Sequence, residues 1–158
     1  MAWRKLLLIS FAGFLVVLAA GGCSPGDNKT APPAGDDLSS GGMLLEYFKS
    51  THPDREVLII KRADLNNDHT DDLVVIFRGS QEKNSMLVVL DVSGSYQCTN
   101  ETPAPVSDQV IRLKDIDDKP PLEFIVQGRK DANFGFAIYR VEGTKLEDLF
   151  GEGMKDCC

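Results

Sequence analysis

Residues 64–77, DLNNDHTDDLVVIF, decide the fold, together with their echo at residues 115–128, DIDDKPPLEFIVQG. In each stretch, acidic or amide side chains alternate through a short polar loop. An acid then closes the loop at the same spacing, Asp72 after Asp64 and Glu123 after Asp115, and an apolar run rich in β-branched residues follows at once. Such a run, bounded by polar and glycine-bearing segments, reads as a buried strand. Its recurrence marks an internal repeat, which extends further: residues 87–94, LVVLDVSG, are matched by residues 137–143, AIYRVEG.

Working outward, the strand runs are 57–60, 73–77 and 86–92 in the first copy and 110–113, 122–126 and 136–141 in the second. Ahead of them, residues 43–50, MLLEYFKS, place Leu44, Leu45 and Phe48 on one side of a short helix that His52-Pro53 stops. The expected fold is therefore mainly β (α+β): two propeller-blade-like antiparallel meanders of three or four strands, related by an internal repeat, with one short N-terminal helix. A closed propeller typically takes four or more blades. Two units must instead stack on each other, with the helix covering one open side.

The loop argues for a hard cation. Ca²⁺ takes six to eight oxygen ligands, and Asp64, Asn66, Asp68 and Asp72 offer an alternating oxygen set around a tight turn. An EF-hand is excluded, because Val75 stands where the closing Glu should be and a strand follows. The competing reading is an Asx-rich turn whose carboxylates cap backbone N–H groups. In the second loop Lys119 replaces Asp68, and its ammonium is expected to take the cation's place beside Asp115, Asp117 and Glu123. His69 and His52 read as solvated loop residues. The loop followed at once by an apolar strand resembles the FG-GAP or VCBS-type repeat over residues 57–149, and the resemblance implies blade-like units with calcium in the strand-connecting loop.

The N-terminus reads as an address. Arg4 and Lys5 precede the uncharged, apolar residues 6–20, as in a signal peptide, and the run is short for a membrane span. It ends in Ala20-Gly21-Gly22-Cys23, which resembles a bacterial lipobox with Ala20 where Leu is usual; the resemblance implies lipidation of Cys23. Residues 24–42, SPGDNKTAPPAGDDLSSGG, hold only Leu38 as a large apolar group and read as a flexible tether. The expected organisation is a signal peptide at 1–22, a lipid-anchored tether at 23–42, a repeat domain at 43–152 and a mobile tail at 153–158.

Composition narrows the function. With 24 Asp+Glu against 17 Lys+Arg the chain has no basic stripe for nucleic acid, and two histidines do not make a multi-His zinc site. The chemistry falls to carboxylates and four cysteines: Cys23, Cys98, Cys157 and Cys158. With lipid on Cys23, three thiols remain, and an odd count in an oxidising compartment leaves one unpaired. A bridge between adjacent Cys157 and Cys158 would be strained, since neighbouring α-carbons lie about 3.8 Å apart against a usual minimum of about 4.4 Å. A Cys98 bridge to either one would close a loop of about 60 residues. Two neighbouring thiols otherwise suit a soft cation such as mercury, arsenic(III) or an organometal fragment. Like charge from Asp156 and the terminal carboxylate is expected to raise their pKa, which disfavours disulfide exchange more than metal capture.

The lipobox at Cys23, the short helix, the DLNNDHTDDLVVIF stretch and the closing Cys157-Cys158 together resemble the Cys-Cys-COOH (seleno)protein family of bacterial lipoproteins. The resemblance implies a role in selenocysteine-assisted organometal metabolism beside an ABC transporter; a thiol-redox protein is the other expected partner, and both final positions are cysteine here. The expected function is an extracytoplasmic, membrane-anchored binding and transfer protein, rather than an enzyme, which takes a soft metal or organometal on Cys157 and Cys158. A thiol-disulfide oxidoreductase using the same pair, and a calcium-stabilised surface or structural lipoprotein, are the rivals.

Overall fold

A computed structural model describes residues 35–80 and 83–158. The signal peptide, Cys23 and the first part of the tether lie outside them. Helix α1 (Gly42–Thr51) is followed by nine strands: β1 (Val57–Ala63), β2 (Asp72–Ser80), β3 (Lys83–Val92), β4 (Ser95–Cys98), β5 (Thr102–Ala104), β6 (Ser107–Leu113), β7 (Phe124–Lys130), β8 (Asn133–Glu142) and β9 (Lys145–Glu152), with a final helical turn, α2 (Met154–Cys157). One antiparallel sheet runs β1-β2-β3-β4, with β5 also pairing on β3; the other runs β6-β7-β8-β9. Among the described residues no barrel or propeller closes, and no helix is long and apolar enough to cross a membrane.

The sheets pack face to face. Val74, Ile76, Met86, Val88 and Leu90 from the first meet Ile111, Phe124, Val126, Ala137, Tyr139 and Val141 from the second in one apolar cluster. Alternation along the strands sends the remaining buried residues of the first sheet the other way. There Leu73, Val75, Phe77, Leu87 and Val89 are covered by Leu44, Leu45 and Phe48 of α1. Leu73 follows Asp72 and lies under the helix; its repeat counterpart Phe124 follows Glu123 and lies between the sheets. The two units thus stack in the same orientation: the face that α1 covers on the first corresponds to the face that the first sheet covers on the second.

The structure departs from the expected tether. Asp36 already bridges β1, with its N–H donating to the Ile60 carbonyl at 2.7 Å and its carboxylate accepting from Lys61 Nζ at 2.7 Å and Arg62 N at 2.9 Å. A 3-10 turn at Leu38–Gly41, capped by Asp37, then leads into α1. Small side chains make this docking feasible: a Cβ on Gly41 would lie 2.6 Å from Leu45 Cβ. Low apolarity predicted disorder, but polar contacts to an open strand edge order the segment instead.

Candidate functional site

The chain reverses direction at Gly153, which has φ +67, a left-handed conformation that glycine adopts without steric cost. Its carbonyl accepts from Asp156 N at 3.1 Å and Cys157 N at 3.2 Å, closing the single turn α2. A Cβ on Gly153 would lie 2.4 Å from the Phe134 carbonyl oxygen, and one on Gly135 would lie 2.7 Å from Cys157 Sγ. The turn is thus seated against β8 where that strand has no side chain. Val106 N donates to the Cys157 carbonyl at 3.1 Å and holds the tail from the other side. The expected mobile tail is therefore docked, for a reason local sequence does not carry: its seat is built by Gly135 and Val106.

This seat brings the last two cysteines together. Cys157 is fully buried, Cys158 is half-buried, and their sulfurs lie 3.4 Å apart. Met154 Sδ lies 3.7 Å from Cys157 Sγ. Cys158 stands between two clefts that share Pro103. One, of about 230 Å³, is lined also by Tyr139, Asp148, Met154 and Lys155; the other, of about 270 Å³, by Asn84, Ser85, Glu101 and Thr102. Asn84 Nδ2 donates to the carbonyls of Pro105 and Val106, while its Oδ1 is buried without a partner. Burial, and then the neighbouring Cys157, push the Cys158 thiol up to about 12. Burial, with Asp148 adding like charge, raises the Tyr139 phenol as well. The elevation at Cys158 thus has a different origin from the expected one, desolvation and the paired sulfur instead of Asp156.

Cys98 does not join this site. It packs with the cluster under α1, half-buried, and all three described cysteines are free thiols. Burial raises its pKa. His52, expected in solvent, stacks on Phe48 at 4.7 Å between ring centroids, whereas His69 is exposed as expected.

The two acidic loops keep the repeat down to single hydrogen bonds. Leu65 N donates to Asp72 Oδ2 and Ile116 N to Glu123 Oε2, both at 2.9 Å, and the closing acid of each loop is completely buried. Asn67 and Asp118 both take positive φ, 63 and 56. In the first loop Asp64 accepts from Asp68 N and His69 N, Asn66 Oδ1 from Asp68 N, and Asp68 Oδ1 from Thr70 N. Asp72 Oδ1 also accepts from Asp91 N at 3.0 Å; burial, with lesser like-charge contributions from Asp68 and Asp64, lifts its pKa to about 6. These are the bonds of an Asx-rich turn. Among the described residues, the carboxylates that converge within 4.8 Å are Asp115, Asp117 and Glu123 of the second loop.

A cation does fill that second loop, but it is not Lys119, whose backbone N–H alone bonds Asp117. Arg140, reaching across from β8, donates from Nη2 to Asp117 at 2.6 Å and from Nε to Glu123 at 2.8 Å, with a further Nη2 contact to Glu123. Its guanidinium keeps the Asp117 carboxyl below the usual range. Reading along the sequence selects the nearest cation, whereas the sheet supplies a better one, with a planar fork suited to two carboxylates. Met154 and Arg140 are thus the residues that sequence reasoning missed. The Met154-to-Cys157 spacing is the one local signal for the former, since residues three apart share a face of a helical turn.

No family model matches the chain, and no curated protein or solved structure matches it significantly.

Proposed function

We propose that the protein is an extracytoplasmic lipoprotein, anchored through Cys23, that captures a soft metal or organometal of the mercury or arsenic type on Cys157 and Cys158 and passes it to a partner. The Cys-Cys-COOH resemblance suggests an ABC transporter as that partner, and the thiol pair itself suits a thiol-redox protein. The observation that carries this reading is the pair of sulfurs 3.4 Å apart on a docked turn, within one ion's reach of each other. Soft ions displace thiol protons on binding, so an elevated thiol pKa slows capture without preventing it. The elevation at Cys158 makes that sulfur a poor attacking thiolate, which weighs against an oxidoreductase that attacks through it.

A competition titration of reduced protein against a small dithiol tests the reading. Either single serine variant, Cys157→Ser or Cys158→Ser, and a chain ending at Asp156 should lose several tenfold steps of Hg²⁺ affinity, each about 1.4 kcal/mol. Cys98→Ser should change little. Equal affinities throughout would discard the reading, and a reduction potential in the range of catalytic dithiols would favour the oxidoreductase.

One observation favours calcium in the first loop as a structural cofactor of the two blade-like units. Among the described residues an ion pair neutralises the second loop, but none reaches Asp64 or Asp68. Asp64, Asn66, Asp68 and Asp72 would supply the oxygens, with Asp72 giving up a backbone bond to do so. Calcium should raise the unfolding temperature, as any ligand of the folded state does. Asp68→Ala should abolish the shift and Asp117→Ala should preserve it; an unfolding trace indifferent to calcium and chelator would leave an Asx turn.

A further inference from the structure

We propose that Met154 supplies a third sulfur, making the tail a three-sulfur seat for a soft centre with bent, tetrahedral-type bond angles, not a linear clamp between two thiolates. This inference rests on the soft-metal reading above and specifies its cargo.

The argument is geometric. Sulfur ligands lie about 2.3 Å from a tetrahedral thiolate-bound ion, so a linear pair would stand about 4.6 Å apart. The Cys157 and Cys158 sulfurs are 3.4 Å apart, which at that bond length closes the angle at the ion to roughly 95°. Cys157 Sγ to Met154 Sδ, at 3.7 Å, corresponds to roughly 107°. Both values are near the corners of a tetrahedron and far from a straight line. Cys157 Sγ is the shared neighbour of both other sulfurs, and Met154 and Cys158 line the same cleft beside Tyr139 and Pro103.

A thioether is a soft, neutral donor that favours ions of the Cu(I) type. When a monovalent ion binds, both thiols release their protons to solvent and the thioether releases none. The two thiolates and the ion then carry one net negative charge, in a cleft that one cation, Lys155, and one anion, Asp148, both line. Three donors fill three corners of a tetrahedron. The fourth corner remains for a substituent on the cargo or for the accepting thiolate of a partner, which is the position a transfer step requires.

The test uses the reduced full-length protein, cuprous ion buffered by bicinchoninate under anaerobic conditions, and phenylarsenic(III) as a second probe that brings its own carbon ligand and needs only two thiolates. Met154→Leu conserves side-chain volume, a class of change that cores tolerate well. It should weaken Cu(I) binding by about tenfold or more, as loss of one soft ligand implies, while leaving phenylarsenic(III) binding unchanged. X-ray absorption should count three sulfurs around copper in the wild type and two in the variant. Two sulfurs in the wild type, or equal Cu(I) affinities, would overturn the three-sulfur seat while the dithiol reading stood. Failure of the wild type to bind either probe would remove both. If Met154→Leu unfolds at a different temperature from the wild type, the wild-type sulfur count alone decides.

Discussion

Gly135→Ala should release the C-terminal turn without altering any thiol. The strand conformation at residue 135 has no positive φ, so alanine meets no backbone strain there. The conflict is through space: the new methyl would lie 2.7 Å from Cys157 Sγ and 2.7 Å from both the carbonyl carbon and oxygen of Gly153. The sulfur could rotate away, but the Gly153 backbone can relieve the contact only by lifting the turn off β8. Overpacking of this kind costs about 1–3 kcal/mol. Here the cost falls on a single turn that can undock locally while the two sheets stay folded. Converted to an equilibrium, the undocked fraction should rise between about 5-fold and 150-fold. Cys157 is fully buried when the turn is docked, so its rate of alkylation by iodoacetamide reports the opening directly. Peptide mass spectrometry separates Cys157 from Cys98, which lies under α1 and serves as the internal reference. Accelerated labelling at Cys157 with an unchanged rate at Cys98 is the expected result. An unchanged rate at Cys157 would refute the claim that a glycine in β8 builds the seat. Equal acceleration at both cysteines would show that the cost spreads through the whole fold.

Phe48 is completely buried and packs on Phe77 at 5.1 Å, so Phe48→Ala should cost about 3–5 kcal/mol in a denaturant titration. Arg140→Met should leave the buried Glu123 carboxylate uncompensated and lower stability in the same titration; Glu123→Gln in the same chain should recover part of the loss in a double-mutant cycle. Asp72 holds its proton more tightly in the folded state, where its pKa is about 6, than at the ordinary value of 3.8. Its contribution to stability is therefore greatest below pH 4 and declines as pH rises to about 6. Asp72→Asn should remove that slope from the difference between the two stability–pH curves, and a slope of opposite sign would show that its two backbone bonds outweigh burial. A mass spectrum of the membrane fraction should show a diacylglyceryl adduct on a chain starting at Cys23; a soluble mature form starting elsewhere would contradict it.

Where information was local, the sequence was legible. The apolar runs at 57–60, 73–77, 86–92, 110–113 and 136–141 all fall inside observed strands, and α1 exceeds the expected helix by one residue at each end. β9 escaped notice because Lys145–Glu152 is exposed at nearly every position, so no alternation betrays it; register with β8 makes it a strand. The candidate sites show the same division. Loop positions could be read from spacing because Asp64, Asn66, Asp68 and Asp72 are close in the chain. The docked tail, the Asp36 bridge to Ile60 and the Arg140 clamp each join residues distant in sequence. Glycines at 135 and 153 are ordinary letters in the sequence, and only the packed structure shows what their missing side chains make room for.

The repeat makes the two acidic loops a controlled comparison within one molecule. Both have a buried closing acid bound to the equivalent backbone N–H, and both turn through a left-handed residue at the equivalent position. They differ in what meets the charge. In the second, Asp115, Asp117 and Glu123 converge, and Arg140 bonds two of them, Asp117 and Glu123. In the first, the carboxylates instead turn toward neighbouring N–H groups, and like charge contributes to the raised pKa of Asp72. Removing the clamp with Arg140→Met should therefore make the second loop respond to calcium, recovering part of the lost stability in millimolar Ca²⁺, because its carboxylates are already gathered. Lack of recovery would mean that the arginine, and not the loop, holds those carboxylates together, and would weaken the calcium reading of the first loop as well.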